Sequence, residues 1–162
     1  MEPGGGTLGS PDAGRVLAVD WGGKRFGIAV SDPTRLIAQP LVTLTRRARH
    51  RAPVAAIVEL VARHEVTTVV IGLPLDLEGV EGESAREARA LGEAVARRSG
   101  VSVTYWDERL TTAVALRSAR AAGVSDRDSR ERIDQMAAVA ILQGWLDAQA
   151  GGTRGRGHGG TE

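Results

Sequence analysis

A short apolar run that ends in an acidic residue, and breaks at once into glycines, sets the first limit on the fold. Residues 16–19 are Val-Leu-Ala-Val, Asp20 follows, and residues 21–27 are Trp-Gly-Gly-Lys-Arg-Phe-Gly. Such a run is typical of a buried strand, whose interior cannot hold an unpaired charge without a large desolvation cost. We therefore place Asp20 at the end of the strand, where water, a metal ion or phosphate can reach its carboxylate.

Further acids occur at the ends of other predicted elements. Asp107 and Glu108 come directly after an apolar segment, and Asp134 lies at the start of a helical apolar pattern. Acids from three such positions indicate a metal site. The chain has no cysteine, and none of its three histidines falls in these segments. Ligands that are all oxygens favour Mg²⁺ or Mn²⁺.

Length and charge limit the class of protein. The 162 residues fit one domain with its own core. The formal net charge of +1 does not predict nucleic-acid binding by itself. Arg46, Arg47, Arg49 and Arg51 form a local basic patch, which either binds phosphate or lies in solvent. The lack of cysteine fits a reducing cytoplasm. No apolar run reaches the roughly 18 residues that span a bilayer, so we expect a cytoplasmic protein without a membrane partner.

Both ends of the chain have compositions that disfavour a packed core. Residues 1–13 are mostly Gly, Pro, Ser and Asp, and residues 150–162 are mostly Gly with a few basic side chains. Neither segment can bury enough apolar surface to offset the entropy lost on ordering. We predict disordered tails at 1–13 and 150–162, on either side of one domain at 14–149.

The hydrophobic period changes along the chain in an order that predicts a mixed α/β sheet. Apolar or β-branched runs predict strands near residues 16–19, 26–30, 37–44, 68–71 and 102–106. Helical spacing predicts helices near 54–61, 85–95 and 133–145, and Thr111 and Thr112 can cap another helix. Asp134 lies at the flank of the predicted apolar face of the last helix, which consists of Ile133, Met136, Ala137, Ala140, Ile141, Gly144 and Trp145. The order β-β-β-α-β-α-β-α-α predicts helices on both faces of the sheet.

Four motifs in this order resemble the YqgF (RuvX) family. They are DWGGKRFGIAVSD at residues 20–32, GLPL at 72–75 with Gly79 after it, DERLTT at 107–112, and IDQMAA at 133–138 followed by ILQ at 141–143. One Asp-x-Gly would be weak evidence, but four ordered motifs are specific. The resemblance extends from Arg15 to Leu146.

The resemblance implies an RNase H-like fold, with a five-stranded mixed sheet in the order 3-2-1-4-5 and a central first strand. It also implies a metal-dependent nuclease that acts in maturation of the 5′ end of pre-16S rRNA. Matched position by position, the acidic triad of the family falls on Asp20, Glu108 and Asp134. These acids would hold Mg²⁺ or Mn²⁺, with two ions able to activate water and neutralise the leaving oxygen. We expect Asp20 to bridge the ions at an open shelf suited to a polymer.

The site assignments have alternatives. Either Asp107 or Glu108 can be the ligand while the other caps a helix, and because capping favours Asp we assign Glu108. Asp134 could instead interact with a helix dipole. Substrate binding is assigned to five basic residues, some of which could equally hold the acids in place: Lys24, Arg25, Arg109, Arg46 and Arg47.

The sequence is compatible with several functions. A nucleic-acid partner is expected, with RNA favoured and DNA possible. A nuclease for Holliday junctions or single-stranded DNA is the main alternative, followed by a nucleic-acid-binding module without catalysis. A sugar-kinase or actin-like ATPase is a further alternative, because the phosphate loop of such proteins also begins with Asp-x-Gly. Those proteins need two domains that clasp the nucleotide, and this chain has room for one. The sequence does not distinguish a monomer from a homodimer.

Overall fold

The computed structural model describes residues 14–46, 52–123 and 126–155, and within them the chain forms five strands and four α-helices. The observed order of elements confirms the predicted one. A one-turn 3₁₀ helix, Glu108–Leu110, follows the last strand and was not predicted. The elements are β1 (Arg15–Trp21), β2 (Arg25–Ser31), β3 (Ala38–Thr45), α1 (Val54–Arg63), β4 (Val66–Leu73), α2 (Glu83–Ser99), β5 (Ser102–Asp107), α3 (Ala113–Gly123) and α4 (Arg127–Gly155).

The strands form one sheet in the order β3-β2-β1-β4-β5, which confirms the predicted topology and the central position of β1. Strand β1 pairs antiparallel with β2 and parallel with β4, and β5 continues the parallel side. The β1–β2 turn closes with a hydrogen bond from Gly22 N to Arg25 O at 2.9 Å. Gly23 has a φ of +82° in this turn, a conformation that favours glycine. Pro40 lies beside a register shift in the edge strand β3, where a proline is tolerated.

Alternation along β1 divides the core into two layers. Leu17, Val19 and Trp21 lie in the layer that contains α1 and α2. Val16 and Ala18 lie in the layer that contains α4. Successive side chains of a strand point to opposite faces. Asp20 therefore lies on the same face as Val16 and Ala18, beneath α4.

The buried face of helix α4 is rotated relative to the predicted one, with which it shares Ala137, Ile141 and Trp145. Met136 is 40% exposed, and Asp134 lies within the buried face rather than at its flank. The buried residues are Asp134, Ala137, Ala138, Ile141, Leu142, Trp145 and Leu146. The prediction was wrong for the rest of the face because apolar residues almost surround this stretch of helix. The sheet selects the side with small alanines, which lets the two backbones approach closely.

Two sheet glycines allow this approach. A Cβ at Gly27 would overlap the Asp134 carbonyl oxygen, and one at Gly72 would press on the Ile141 side chain. Helix α4 continues to Gly155, into the range where a tail was predicted. Although α4 is 29 residues long, neither it nor any other helix in the described ranges is long and apolar enough to cross a membrane.

Candidate active site

Three separate elements bring Asp20, Glu108 and Asp134 together. Asp20 is the second-last residue of β1, and Glu108 follows the end of β5. Across the β1–β2 ladder, Asp20 pairs with Gly27, and the missing side chain of Gly27 lets α4 place Asp134 at this point. The three acids are only 1%, 4% and 2% exposed, respectively. Such deep burial of charged groups requires counter-ions.

Helix α3 supplies these counter-ions, which the sequence analysis missed. Arg117 Nη1 lies 3.3 Å from Asp20 Oδ1, and its Nη2 lies 2.5 Å from Glu108 Oε1. The same Nη1 donates a hydrogen bond to the Trp21 carbonyl oxygen at 3.1 Å. Arg117 therefore joins the two acids and the end of β1.

Asp134 has its own arginine. Arg120 Nη1 donates a hydrogen bond to Asp134 Oδ1 at 2.5 Å, and Arg25 Nη1 lies 3.9 Å from Asp134 Oδ2. Arg117 and Arg120 share a helix face with Ala113, which is fully buried. Their spacing of four and seven residues from Ala113 is the signal that could have found them. The expected open shelf is thus wrong for this state, because α3 covers the acids.

Burial raises the pKa of two of the acids, Asp20 and Asp134. The pKa of Asp20 is raised to about 7, mainly by burial and further by the Glu108 and Asp134 carboxylates, while Arg117 and Arg120 oppose the rise. The pKa of Asp134 is raised by burial, against the opposing effect of Arg120 and Arg25. Burial opposes the charge of Arg117, but Asp20 and Glu108 raise its pKa overall. The arginines therefore offset only in part the effect of burial on the pKa values of Asp20 and Asp134.

The two neighbouring acids of the third motif have different environments. Asp107 caps the 3₁₀ helix by accepting a hydrogen bond from Arg109 N at 3.0 Å, and its Oδ2 lies 2.7 Å from Arg109 Nη2. This hydrogen bonding with Arg109 lowers the pKa of Asp107. Glu108 instead points into the protein, beside Asp20. Of the two candidates, Glu108 is the one that the structure places with the other acids.

The predicted substrate-binding residues are distributed unevenly. Lys24 is exposed on the β1–β2 turn, and Arg25 lies beside Asp134. The guanidinium of Arg109 is held by Asp107 and donates to the Asp76 carbonyl oxygen at 3.2 Å.

The predicted basic patch is described only in part. The Arg46 guanidinium lies 5.3 Å from the ring centre of Trp21 and 5.9 Å from that of Phe26, positions that allow cation–π contacts. Arg47, Arg49 and Arg51 lie outside the described residues. The arginine at the start of the patch therefore packs beside the β1–β2 hairpin.

The acids have the donor chemistry of a site for hard divalent ions. Asp20 Oδ1, Glu108 Oε2 and Asp134 Oδ2 are buried, and none accepts a hydrogen bond from a described residue. Buried oxygens of this kind are unusual in proteins and need a partner. In the present side-chain positions, no three acidic or histidine groups among the described residues can hold one ion together. The chemistry of these oxygen donors fits a hard divalent ion, and Arg117 and Arg120 pair with the same acids in this structure.

The fold and the acids define a class, an RNase H-like α/β domain with carboxylates at the end of its central strand. RuvC of Thermus thermophilus in complex with a Holliday junction substrate shares this fold, with a TM-score of 0.54 and 18% identity over 85% of this chain and 96% of that one. The profile of the family described as "RuvX: Holliday junction resolvase" matches residues 14–148. The chain belongs to this family, RuvX (YqgF), as the motifs predict.

Curated relatives support the same family over most of the chain. A protein of Myxococcus xanthus is 47% identical over 134 residues, covering 83% of this chain and 88% of its own. One of Mycobacterium leprae is 48% identical over 138 residues, covering 85% of this chain and 74% of its own. One of Agathobacter rectalis is 39% identical over 135 residues, covering 82% of this chain and 94% of its own. Each of them is named "Putative pre-16S rRNA nuclease".

Proposed function

We propose that this chain is a metal-dependent nuclease that hydrolyses phosphodiester bonds of pre-16S rRNA. The observation that carries the proposal is the set of three buried carboxylates, each with an oxygen that accepts no hydrogen bond from a described residue. A carboxylate set beside a strand end would repel phosphate unless cations were bound, so a binding module alone gains nothing from it. The names of the curated relatives support the reaction and the substrate.

Asp20, Glu108 and Asp134 would hold the divalent ions, Mg²⁺ or Mn²⁺. When bound, such ions make a water molecule nucleophilic at neutral pH and stabilise the leaving oxygen. Asp20 is held by the central strand and Glu108 by the 3₁₀ turn after β5. Because β-sheet and turn fix these carboxylates, little rearrangement of the backbone is needed to present their oxygens to a cation.

The basic residues would act on the substrate or on its surroundings. Arg25 lies beside Asp134 and Lys24 precedes it on the exposed β1–β2 turn, and both would contact the phosphate backbone. Arg109 joins Asp107 to the loop carbonyl at Asp76, so we assign it to positioning this loop beside the site. Arg46 and Arg47 remain candidates for contacts further along the nucleic-acid strand. The Arg46 guanidinium lies against Trp21.

A second candidate is the cleavage of four-way DNA junctions. The observation in its favour is the RuvC fold, seen in complex with a Holliday junction. A junction resolvase cuts two strands symmetrically and is expected to act as a dimer. RNA processing has no such requirement. The mass of the active species in solution therefore helps to separate the two functions.

The test is cleavage of three labelled substrates by the full chain. These are an RNA that spans the 5′ end of 16S rRNA, a DNA strand of the same sequence and a four-way junction, each with Mg²⁺, Mn²⁺ or EDTA. We expect cleavage of the RNA with a divalent ion and none with EDTA. Preferred cleavage of the junction would support the second candidate. Cleavage that persists after exhaustive chelation would overturn the metal mechanism.

A further inference from the structure

A basic cavity lies beside the candidate active site. Its volume is about 370 Å³, and it opens between the β1–β2 turn, α3 and α4. The residues that line it are Gly22, Lys24, Arg25, Arg120, Ala121 and Arg130. Four of these six are cationic and none is acidic. A concave surface with charges of one sign concentrates the electrostatic field and attracts ions of the opposite sign.

Part of this positive charge is not neutralised by close ion pairs. Arg120 is paired with Asp134, and Arg25 lies 3.9 Å from the same carboxylate. Lys24 is exposed, and Arg130 Nε is buried without a hydrogen-bond partner in the described ranges. Asp126 interacts electrostatically with Arg130, but no ion pair joins these two side chains. Lys24 and Arg130 are therefore positioned to receive an anion.

The cavity shares a wall with the candidate active site. Arg25 and Arg120 line the cavity and also face Asp134. An anion in the cavity would thus lie directly beside the acids. Guanidinium groups match the geometry of phosphate oxygens and can bind them in pairs.

We propose that this basic cavity binds a phosphate group of the nucleic-acid strand, next to the phosphate that is cleaved. The proposal rests on the proposed nuclease function. None of the six described residues that line the cavity is aromatic, so they offer no surface for base stacking. Contacts with phosphate carry no sequence information and instead set the register of the strand. The cavity would therefore hold the strand in register while the acids act on the neighbouring bond.

The test is the salt dependence of RNA binding, measured with the full chain in EDTA so that no cleavage occurs. The variant is Lys24→Gln with Arg130→Gln, which removes two charges from the cavity. The matched control is Arg97→Gln with Arg98→Gln, two exposed residues in the last turn of α2 on the opposite face of the sheet. The slope of log K against log salt is negative, and each lost phosphate contact on a single strand reduces its magnitude by about 0.7.

We expect the magnitude of this slope to be smaller by about 1.4 in the cavity variant, which lacks two contacts, and to be unchanged in the control. Thermal unfolding of both variants checks that they are folded. An unchanged slope in the cavity variant, or an equal loss in the control, would overturn the proposal. The acids are unchanged in both variants and no cleavage occurs in EDTA, so this outcome is independent of whether the chain cleaves RNA.

A second comparison identifies the source of the phosphate. The same RNA is prepared with a 5′-phosphate and with a 5′-hydroxyl, and inorganic phosphate is added as a competitor. An internal phosphodiester predicts equal losses for both RNAs in the cavity variant. A loss confined to the 5′-phosphorylated RNA would assign the cavity to a terminal phosphate. Inorganic phosphate should compete in either case, and should compete less against the cavity variant.

Discussion

The Arg117 guanidinium lies 2.5 Å from the Glu108 carboxylate, within the group of acids that would bind the metal. It also lies 3.3 Å from Asp20. An arginine in this position reduces the repulsion among buried carboxylates when no divalent ion is bound. It also occupies the oxygens that a metal ion needs. Metal and Arg117 should therefore compete, and α3 should shift when the ion binds.

The first prediction concerns this competition. In Arg117→Gln the guanidinium is gone, and we expect Mn²⁺ to bind at least about tenfold more tightly, a difference of about 1.4 kcal/mol. Titration followed by the electron paramagnetic resonance signal of free Mn²⁺ measures this without substrate. Arg97→Gln on α2 should bind Mn²⁺ as the wild type does. Equal affinity in Arg117→Gln would show that the arginine does not compete.

The same variant should be less stable without metal, because removing one partner of a buried ion pair leaves the other charge uncompensated. Addition of Mn²⁺ should then raise its melting temperature by more than it raises that of the wild type. This gain follows from mass action, since the ion binds the folded state. A smaller gain than in the wild type would contradict the competition.

The second prediction concerns pH. The pKa of Asp20 is about 7 in the folded protein and near 3.8 in the unfolded chain. A raised pKa means that the folded state binds the proton more tightly. The stabilisation from this group is complete below about pH 4 and is lost as the pH rises to 7, at up to about 1.4 kcal/mol per pH unit.

Replacement of Asp20 by Asn should remove this dependence, because the amide carries no charge at any of these pH values. In EDTA, the free energy of unfolding of Asp20→Asn minus that of the wild type should grow from pH 5 to pH 8. Urea unfolding at each pH measures the difference. A difference that does not change with pH would show that Asp20 does not titrate in this range.

The third prediction concerns catalysis. Asp20→Asn keeps the shape of the side chain but loses a charge and gains an amide donor. We expect normal folding, RNA binding at least as tight as in the wild type, and loss of nearly all cleavage with Mn²⁺. Glu108→Gln and Asp134→Asn should also suppress cleavage. A rate within about tenfold of wild type in Asp20→Asn, less than about 1.4 kcal/mol of barrier, would remove Asp20 from the mechanism.

Asp107→Asn provides the matched control within the same motif. Asp107 bonds Arg109 rather than the buried acids. We expect this variant to lose stability, since the cap of the 3₁₀ helix and the Arg109 ion pair are weakened. Its cleavage rate with Mn²⁺, measured well below its melting temperature, should stay closer to wild type than that of Glu108→Gln. The reverse order would exchange the roles of the two acids.

The fourth prediction concerns Gly27, over which the α4 backbone passes. A Cβ in Gly27→Ala would overlap the Asp134 carbonyl oxygen, and backbone cannot move aside as a flexible side chain can. We expect a loss of about 1–3 kcal/mol in the free energy of unfolding, typical of overpacking, together with reduced cleavage. In Gly82→Ala no described atom lies within 4 Å of the new Cβ and φ is −96°, so this variant should cleave as the wild type does and lose only the small stability difference between Gly and Ala at the N-cap of α2. Wild-type stability in Gly27→Ala would show that the helix does not pack this closely.

Most of the fold follows from local patterns that can be recognised along the chain. The continuous apolar run in β1, the glycines at the β1–β2 turn and the switch to helical spacing predict the elements and their order. The four motifs predict the strand order through the family resemblance. The site acids also follow from sequence, because Asp20 and Glu108 come at strand ends, where a charge is tolerated.

Tertiary contacts decide the remaining features. An arginine on a helix such as α3 looks the same in sequence whether it lies in solvent or pairs with a buried acid. Arg117 and Arg120 become counter-ions only because α3 packs over the end of β1, and Arg130 joins Lys24 only where α4 passes the turn. In α4, the close approach at Gly27 selects the buried face and places Asp134 among the acids. Local patterns thus determine which elements form and where the acids occur, whereas packing determines which charges meet, because ion pairs depend on distances between segments remote in sequence.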